Sequence, residues 1–430
     1  MNVLAPILVV SVLGVAQGGP FPDFGYAPPD DWDGDKFSLS QSYPADVPPA
    51  AAKPWEAIDF KRDPKGYLGA ILDYCFEGNV EAGFRPELNT ARKWFHAPWL
   101  HFGGNGREFV RGLTKERNSR AFELSPMQSS SYRNFAVGLY DELGGYTIGR
   151  VWRDPQHPDA QAAKFPEGTV TFKLLFTTAP VSVVPFLEGA PAWFADIDRS
   201  ASSTQIKSNE VRLLQIDVAV KDKRSMAGGW VFGTFHYDSQ VPGDTPWKKL
   251  RPLALSWGND PTLTESLYSS GSQPEESWVN QESPIVTYRK NPPSGAFPPK
   301  VMGWAGRANG PVDNSLSSCV SCHMTAQSPG RSGMLPPSDS TEERRLRWFR
   351  NLEPGKAFDE GTDSLDFSLQ LAVGIQNLKS FNDTVANLAG FRAGDRTGLT
   401  RFLRTDETPS LEWRGDQPQE YRFSRDPGED

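Results

Sequence analysis

Cysteine is nearly absent from this chain: there are three in 430 residues, Cys75, Cys319 and Cys322. That excludes the disulfide framework expected of an exported protein that uses cysteine structurally. Histidine is scarce too, at five, and no second close pair of cysteines accompanies the first. The four clustered ligands of a structural zinc site are therefore lacking. No long apolar run follows residue 15, which leaves no membrane span in the mature chain. Basic residues do not dominate, because 45 Lys and Arg stand against 53 Asp and Glu for a net charge of -8. A nucleic-acid partner or an anionic membrane surface is not expected from that balance. Internal repeats are also missing.

What is present is aromatic and loop-forming, with 26 Phe, 13 Trp, 39 Gly and 37 Pro. Such a composition favours short strands and long irregular connections over helical bundles. The single apolar run, Val3 to Val15, is too short to span a bilayer and is followed by Ala16, Gln17 and Gly18, small enough to suit a signal peptidase. Residues 1–18 read as a secretory signal, although no Lys or Arg precedes the run. No cysteine follows it to carry a lipid. The expected location is periplasmic or otherwise exported.

Along the chain, residues 19–130 form an N-terminal arm and an aromatic-rich cap. Within it Tyr67, Ile71, Leu72 and Cys75 fall at helical spacing, and His96 and His101 lie in the aromatic stretch KWFHAPWLHFGGNG. Arg107, Arg111, Lys115 and Arg117 follow as a basic stretch, read as a solvated face. From about Ser131 the period changes to two. YTIGRVW, GTVTFKLLF, VRLLQIDVAV and GGWVFGTFHY read as strands, with Leu214, Ile216, Val218 and Val220 on one buried face and Gln215 and Asp217 on the other. This predicts a half-exposed antiparallel sheet within a domain over 131–337, interrupted by a long Pro-rich insertion at 257–310. Residues 338–430 read as a C-terminal helical region and tail, with helices at STEERRLRWFRNL and at Leu365 to Leu378. The fold class is α+β and β-dominated.

The most specific local pattern is Cys319-Val-Ser-Cys322-His323. Covalent haem attachment needs two thiols about one helical turn apart and an imidazole directly beyond them, and this pentapeptide supplies that spacing on a short helical turn. A redox dithiol is the alternative, but it belongs after a strand in a βαβ unit, and no such alternation surrounds this pair. The residues thus predict one haem c per chain, with Cys319 and Cys322 as its tethers and His323 as the proximal iron ligand. Met334, in RSGMLPP, is the nearest thioether for a sixth ligand.

FPEGTVTFKLLF, VAVKDKRSMAGGWVFGTFHYD and SSCVSCHMT, taken in order, resemble landmarks of the cytochrome P-460 family and the related cytochromes c′-beta. The resemblance covers about residues 146–326. It implies a β-rich mono-haem fold, and in the hydroxylamine-oxidising members of that family a strand lysine, here Lys173, is cross-linked to the haem. On the strand pattern alone Lys173 reads instead as a solvent-face lysine. Three functional expectations follow. One is electron transfer to an unidentified redox partner protein. Another is a haem enzyme or sensor acting on small nitrogen species at an open distal site. The third is a non-catalytic subunit of a periplasmic redox complex. A homodimer is compatible with each.

Overall fold

In the computed structural model, residues 21–390 are described apart from 31, 50–51, 103–105, 198–208 and 297–299, with backbone alone given for 209 and 385–390. The expected signal segment and the tail beyond 390 lie outside the described residues. The architecture is mixed α+β, built on one large antiparallel sheet. Its strands are β1 Thr114–Ser119, β2 Tyr132–Tyr140, β3 Val170–Thr177, β4 Ala192–Ala195, β5 Asn209–Lys221, β6 Trp230–Tyr237, β7 Leu250–Ser256 and β8 Ser277–Val279. They run in the order β1-β2-β3-β5-β6-β7-β8, with β4 added on β5. A two-residue pair, β9 Gln327–Ser328 with β10 Asp363–Ser364, lies apart. The helices are α1 Pro64–Phe76, α2 Glu142–Val151, α3 Glu265–Ser269, α4 Pro284–Lys290, α5 Cys319–His323, α6 Glu342–Arg345 and α7 Leu369–Gly390. Among the described residues no helix is long and apolar enough to cross a membrane.

The two faces of the sheet differ in chemistry because side chains alternate along each strand. One face carries Phe135, Val137, Leu139, Phe172, Leu174, Ile216, Val218 and Phe235, all buried in the main core with Leu68, Ile71 and Cys75 of α1. Asp63 caps α1 by accepting from the Gly66 amide, and Pro64 opens its first turn. Helix and sheet meet so closely that a Cβ at Gly233 would lie 2.2 Å from Leu68 Cδ2.

The opposite face carries a polar stretch beside apolar residues such as Ala219, Trp230 and Phe232 of the second core. The pairings Gly138↔Lys173, Lys173↔Asp217 and Asp217↔Thr234 set one row across four strands, with Leu175, Gln215 and His236 forming the next. This face is not open to solvent as the sequence pattern predicts. The segment before α5 lies over it, with the Val312 amide donating to Gln215 Oε1 at 3.4 Å and Arg117 Nε donating to the Val312 carbonyl at 2.7 Å. The start of α7 covers the neighbouring part, where Tyr140 Oη and Ser368 Oγ are 2.8 Å apart. Gln215 is fully buried in consequence.

Three further expectations are corrected. YTIGRVW is not a strand but the body of α2, because Asp141 caps it by accepting from the Gly144 amide at 2.9 Å and starts a helical turn. The 257–310 insertion is not irregular throughout. It supplies β8, paired to β7, and the helices α3 and α4. The last helix begins at Leu369 rather than Leu365, since Asp366 and Phe367 take left-handed backbone. By contrast, Thr341 caps α6 where the sequence places a helix start, and Cys75 is a buried free thiol on α1.

Candidate functional site

The pentapeptide Cys319–His323 does fold as a helical turn. Ser318 and Ser321 close a reciprocal capping box, with the Ser321 amide donating to Ser318 Oγ at 3.0 Å and the Ser318 amide to Ser321 Oγ at 2.7 Å. Ser318 Oγ also donates to Asn259 Oδ1 at 2.8 Å, which ties the turn to the insertion. Val320 and Met324, four residues apart and so on one side of the turn, are buried in the second hydrophobic core. Cys319, Cys322 and His323 are only half-buried, with Cys319 packed against the edge of the same core.

His323 is held from two directions. Its Nδ1 lies 2.9 Å from the Phe367 carbonyl oxygen, and its ring centroid is 4.6 Å from that of Phe232 on β6. A carbonyl only accepts, so Nδ1 carries the proton and Nε2 presents a lone pair. Burial pushes the imidazole down to about 4, the Phe367 bond and Asp313 acting against that and Lys173 with it. At neutral pH His323 is therefore an uncharged acceptor.

Across from the turn stands the polar row of the sheet. Lys173 Nζ is 3.2 Å from Asp217 Oδ2, and the side chains keep 28% and 25% of their surface accessible. Lys173 is thus neither a solvent-face lysine nor fully enclosed, and it lies close enough to the turn for its charge to act on His323. Burial works against its charge, yet Glu116, Asp217 and Asp313 outweigh that and hold its pKa above the ordinary lysine range. Glu116 and Asp217 are both raised, chiefly by burial, with Asp313 adding to each and Lys173 opposing. Gln215 Nε2 donates to both Asp217 oxygens at 2.7 and 2.8 Å, and Asp313 Oδ2 accepts from the Gly310 amide at 3.0 Å.

The thiols feel the same field. Burial pushes Cys322 up to about 11, and Cys319 is pushed well above the usual thiol range by burial and then by Asp313 and Asp217. Both stay protonated at neutral pH and are poor nucleophiles.

No protein-family model, curated protein or solved structure matches the chain. Among the described residues, no group of three or more His, Cys, Asp or Glu side chains is gathered so that it could hold a metal ion. The expectation of a haem c centre is corrected on that finding, and the resemblance to the cytochrome P-460 family is not upheld. Cys319 and Cys322 are free thiols, and His323 gives Nδ1 to a backbone carbonyl. Met334 is half-buried in the loop after β9. The physical reason lies in what the motif tests. Two thiols and an imidazole on one turn satisfy a local spacing, whereas a bound centre also depends on what the tertiary fold places around that turn, and here it places Asp217 paired with Lys173. The roles drawn from haem fall with it: tethering by Cys319 and Cys322, iron ligation by His323 and Met334, a cross-link at Lys173, electron transfer to a redox partner, and small nitrogen species as ligands.

The fold brings Lys173, Cys319, Cys322 and His323 together, and adds Glu116, Asp313 and Phe367, which sequence reasoning missed. Glu116 sits on an edge strand within a charged run, TKERNS, that has no period-two signature. Asp313 lies in a loop with no local pattern to mark it. His96 and His101 are both buried, and burial lowers both below the ordinary histidine range, with Arg107 adding to each. His236 is likewise buried on β6, its Nε2 2.9 Å from Ser283 Oγ.

Proposed function

We propose that the cleft between the polar row of the sheet and the Cys319–His323 turn binds a small organic cation. The observation that carries this reading is an imbalance of chemistry. Three carboxylates, Glu116, Asp217 and Asp313, act on a single ammonium, Lys173, while the nearby Arg117 guanidinium is paired with Glu123, and the neutral imidazole of His323 adds an acceptor nitrogen that has no hydrogen bond among the described residues. A cleft with excess negative charge and excess acceptors favours a positively charged or hydrogen-bond-donating guest, and desolvated walls strengthen that preference. The two protonated thiols supply weak donors and soft contact surface.

Each side chain then has a defined part. Glu116 and Asp313 face the guest's charge, while Asp217 is divided between Lys173 and Gln215 and fixes the floor of the cleft. His323 Nε2 accepts a hydrogen bond from a donor on the guest. The raised carboxylates give the binding a pH sense: protonation removes charge from the walls, so affinity falls as pH drops through their range. We place this binding outside the cytoplasm, on the strength of the Val3 to Val15 run.

Calorimetric titration tests the reading, with guanidinium, tetramethylammonium and ethanolammonium set against acetate and neutral urea. Saturable binding of at least one cation, weakened by Glu116→Gln and by lowering the pH from 8 to 5, is the expected result. Binding of acetate in preference to every cation would overturn it.

A further inference from the structure

The carbonyl that orients His323 belongs to a costly piece of backbone. Asp366 and Phe367 are consecutive non-glycine residues with φ of 47° and 66°. Left-handed backbone at such residues persists only where the surroundings over-determine it. Here they do. Asp366 Oδ1 accepts from Lys221 Nζ at 2.5 Å and from Trp230 Nε1 at 3.0 Å, and Oδ2 accepts from the Phe165 amide at 2.9 Å. Lys221 Nζ is shared with the Gly228 carbonyl at 2.9 Å, and Lys221 and Trp230 are direct partners across β5 and β6. The Phe367 ring lies against Gly228, where a Cβ would come 2.1 Å from Phe367 Cε2. Asp366, Lys221 and Trp230 are all buried.

This is more bonding than the start of a helix requires, and it ends at one carbonyl. We infer that Asp366 is a positioning residue for the cleft: its contacts to Lys221, Trp230 and the Phe165 amide lock Phe367 in left-handed backbone, so that the Phe367 carbonyl keeps the proton of His323 on Nδ1 and leaves Nε2 free. The inference rests on the reading of His323 as the acceptor of the cleft. Asp366 touches no guest and acts through Phe367.

The test reads the tautomer of His323 in the full chain by long-range proton–nitrogen NMR at pH 8, its signals assigned by their loss in His323→Gln. The wild type is expected to show the Nδ1–H form. In Asp366→Ala the ratio of Nδ1–H to Nε2–H should fall about fivefold, the equivalent of one hydrogen bond lost. Asp366→Asn, which keeps the shape of the side chain but not its charge, should lower the ratio less and carries the test if the alanine variant does not fold. Leu371→Ala, a truncation in the same buried cluster, should leave the ratio unchanged. An unchanged ratio in the Asp366 variants, or an equal change in Leu371→Ala, would overturn the inference. Since the readout needs no ligand, a failure of cation binding is distinguishable from a failure of positioning.

Discussion

Replacing Lys173 with Met removes the one ammonium that faces Glu116, Asp217 and Asp313 while keeping a side chain of similar length. Breaking a fully buried ion pair from one side costs about 3–5 kcal/mol, because a charge is left without its partner. The Lys173–Asp217 pair retains 28% and 25% side-chain accessibility, so solvent screens part of that. We therefore expect a loss of about 1–3 kcal/mol at pH 8. The cost should depend on pH, and its sign follows from the carboxylates. Without Lys173 their folded-state pKa values rise further above those of the unfolded chain. A carboxylate with a raised folded pKa stabilises the fold fully below its unfolded pKa and loses that contribution as pH climbs through the folded one. The deficit of Lys173→Met against wild type should hence be largest at pH 8 and shrink at pH 5. Urea unfolding at the two pH values measures it, and the double variant Lys173→Met with Asp217→Asn should recover part of the loss at pH 8. An equal deficit at both pH values would show that Lys173 contributes packing rather than charge, and would refute the electrostatic description of the cleft.

Two other outcomes test the scaffold. Gly233→Ala forces a Cβ to within 2.2 Å of Leu68 Cδ2 and should cost about 1–3 kcal/mol in urea unfolding, whereas Gly69→Ala on α1 meets nothing within 4 Å and should be neutral or stabilising by up to about 1 kcal/mol. Burial pushes Asp141 from 3.8 up to about 7, so its stabilising contribution is full below about pH 4 and is lost as pH rises through 7; Asp141→Asn keeps the cap of α2 and should flatten that part of the stability–pH curve, with identical slopes for the two proteins counting against it.

The sequence is most legible where structure is local. Tyr67, Ile71 and Cys75 share the buried side of α1, and the alternation of Leu214 to Val220 marks β5 correctly. What covers the polar side of β5 is not local: Val312 meets Gln215 from almost a hundred residues away in sequence, and nothing in VRLLQIDVAV announces it. YTIGRVW misleads because its β-branched and aromatic residues suit a strand, while the deciding interaction comes from the Asp141 cap just outside the run. The start of α7 is displaced by left-handed backbone at Asp366 and Phe367, a conformation that Asp tolerates but that nothing about Phe announces. The candidate site divides in the same way. Cys319, Cys322 and His323 are visible as a motif and do share one helical turn, but its chemistry depends on Glu116, Lys173, Asp217 and Asp313, drawn from three strands and a loop. A spacing rule sees only the first part, which is why it points to a metal centre that the side chains of the described residues do not form.

The central claim is that the cleft is an acceptor-rich site for a small cation, with His323 Nε2 as one of its acceptors. The most direct measurement is the nitrogen NMR signal of His323 Nε2 at pH 8 during titration with ethanolammonium, a cation that also donates hydrogen bonds. The account predicts a saturable shift of Nε2 toward a hydrogen-bonded acceptor while the proton stays on Nδ1, weakened by Glu116→Gln. A signal unmoved through saturation of any binding, or one moved equally by acetate, would contradict it.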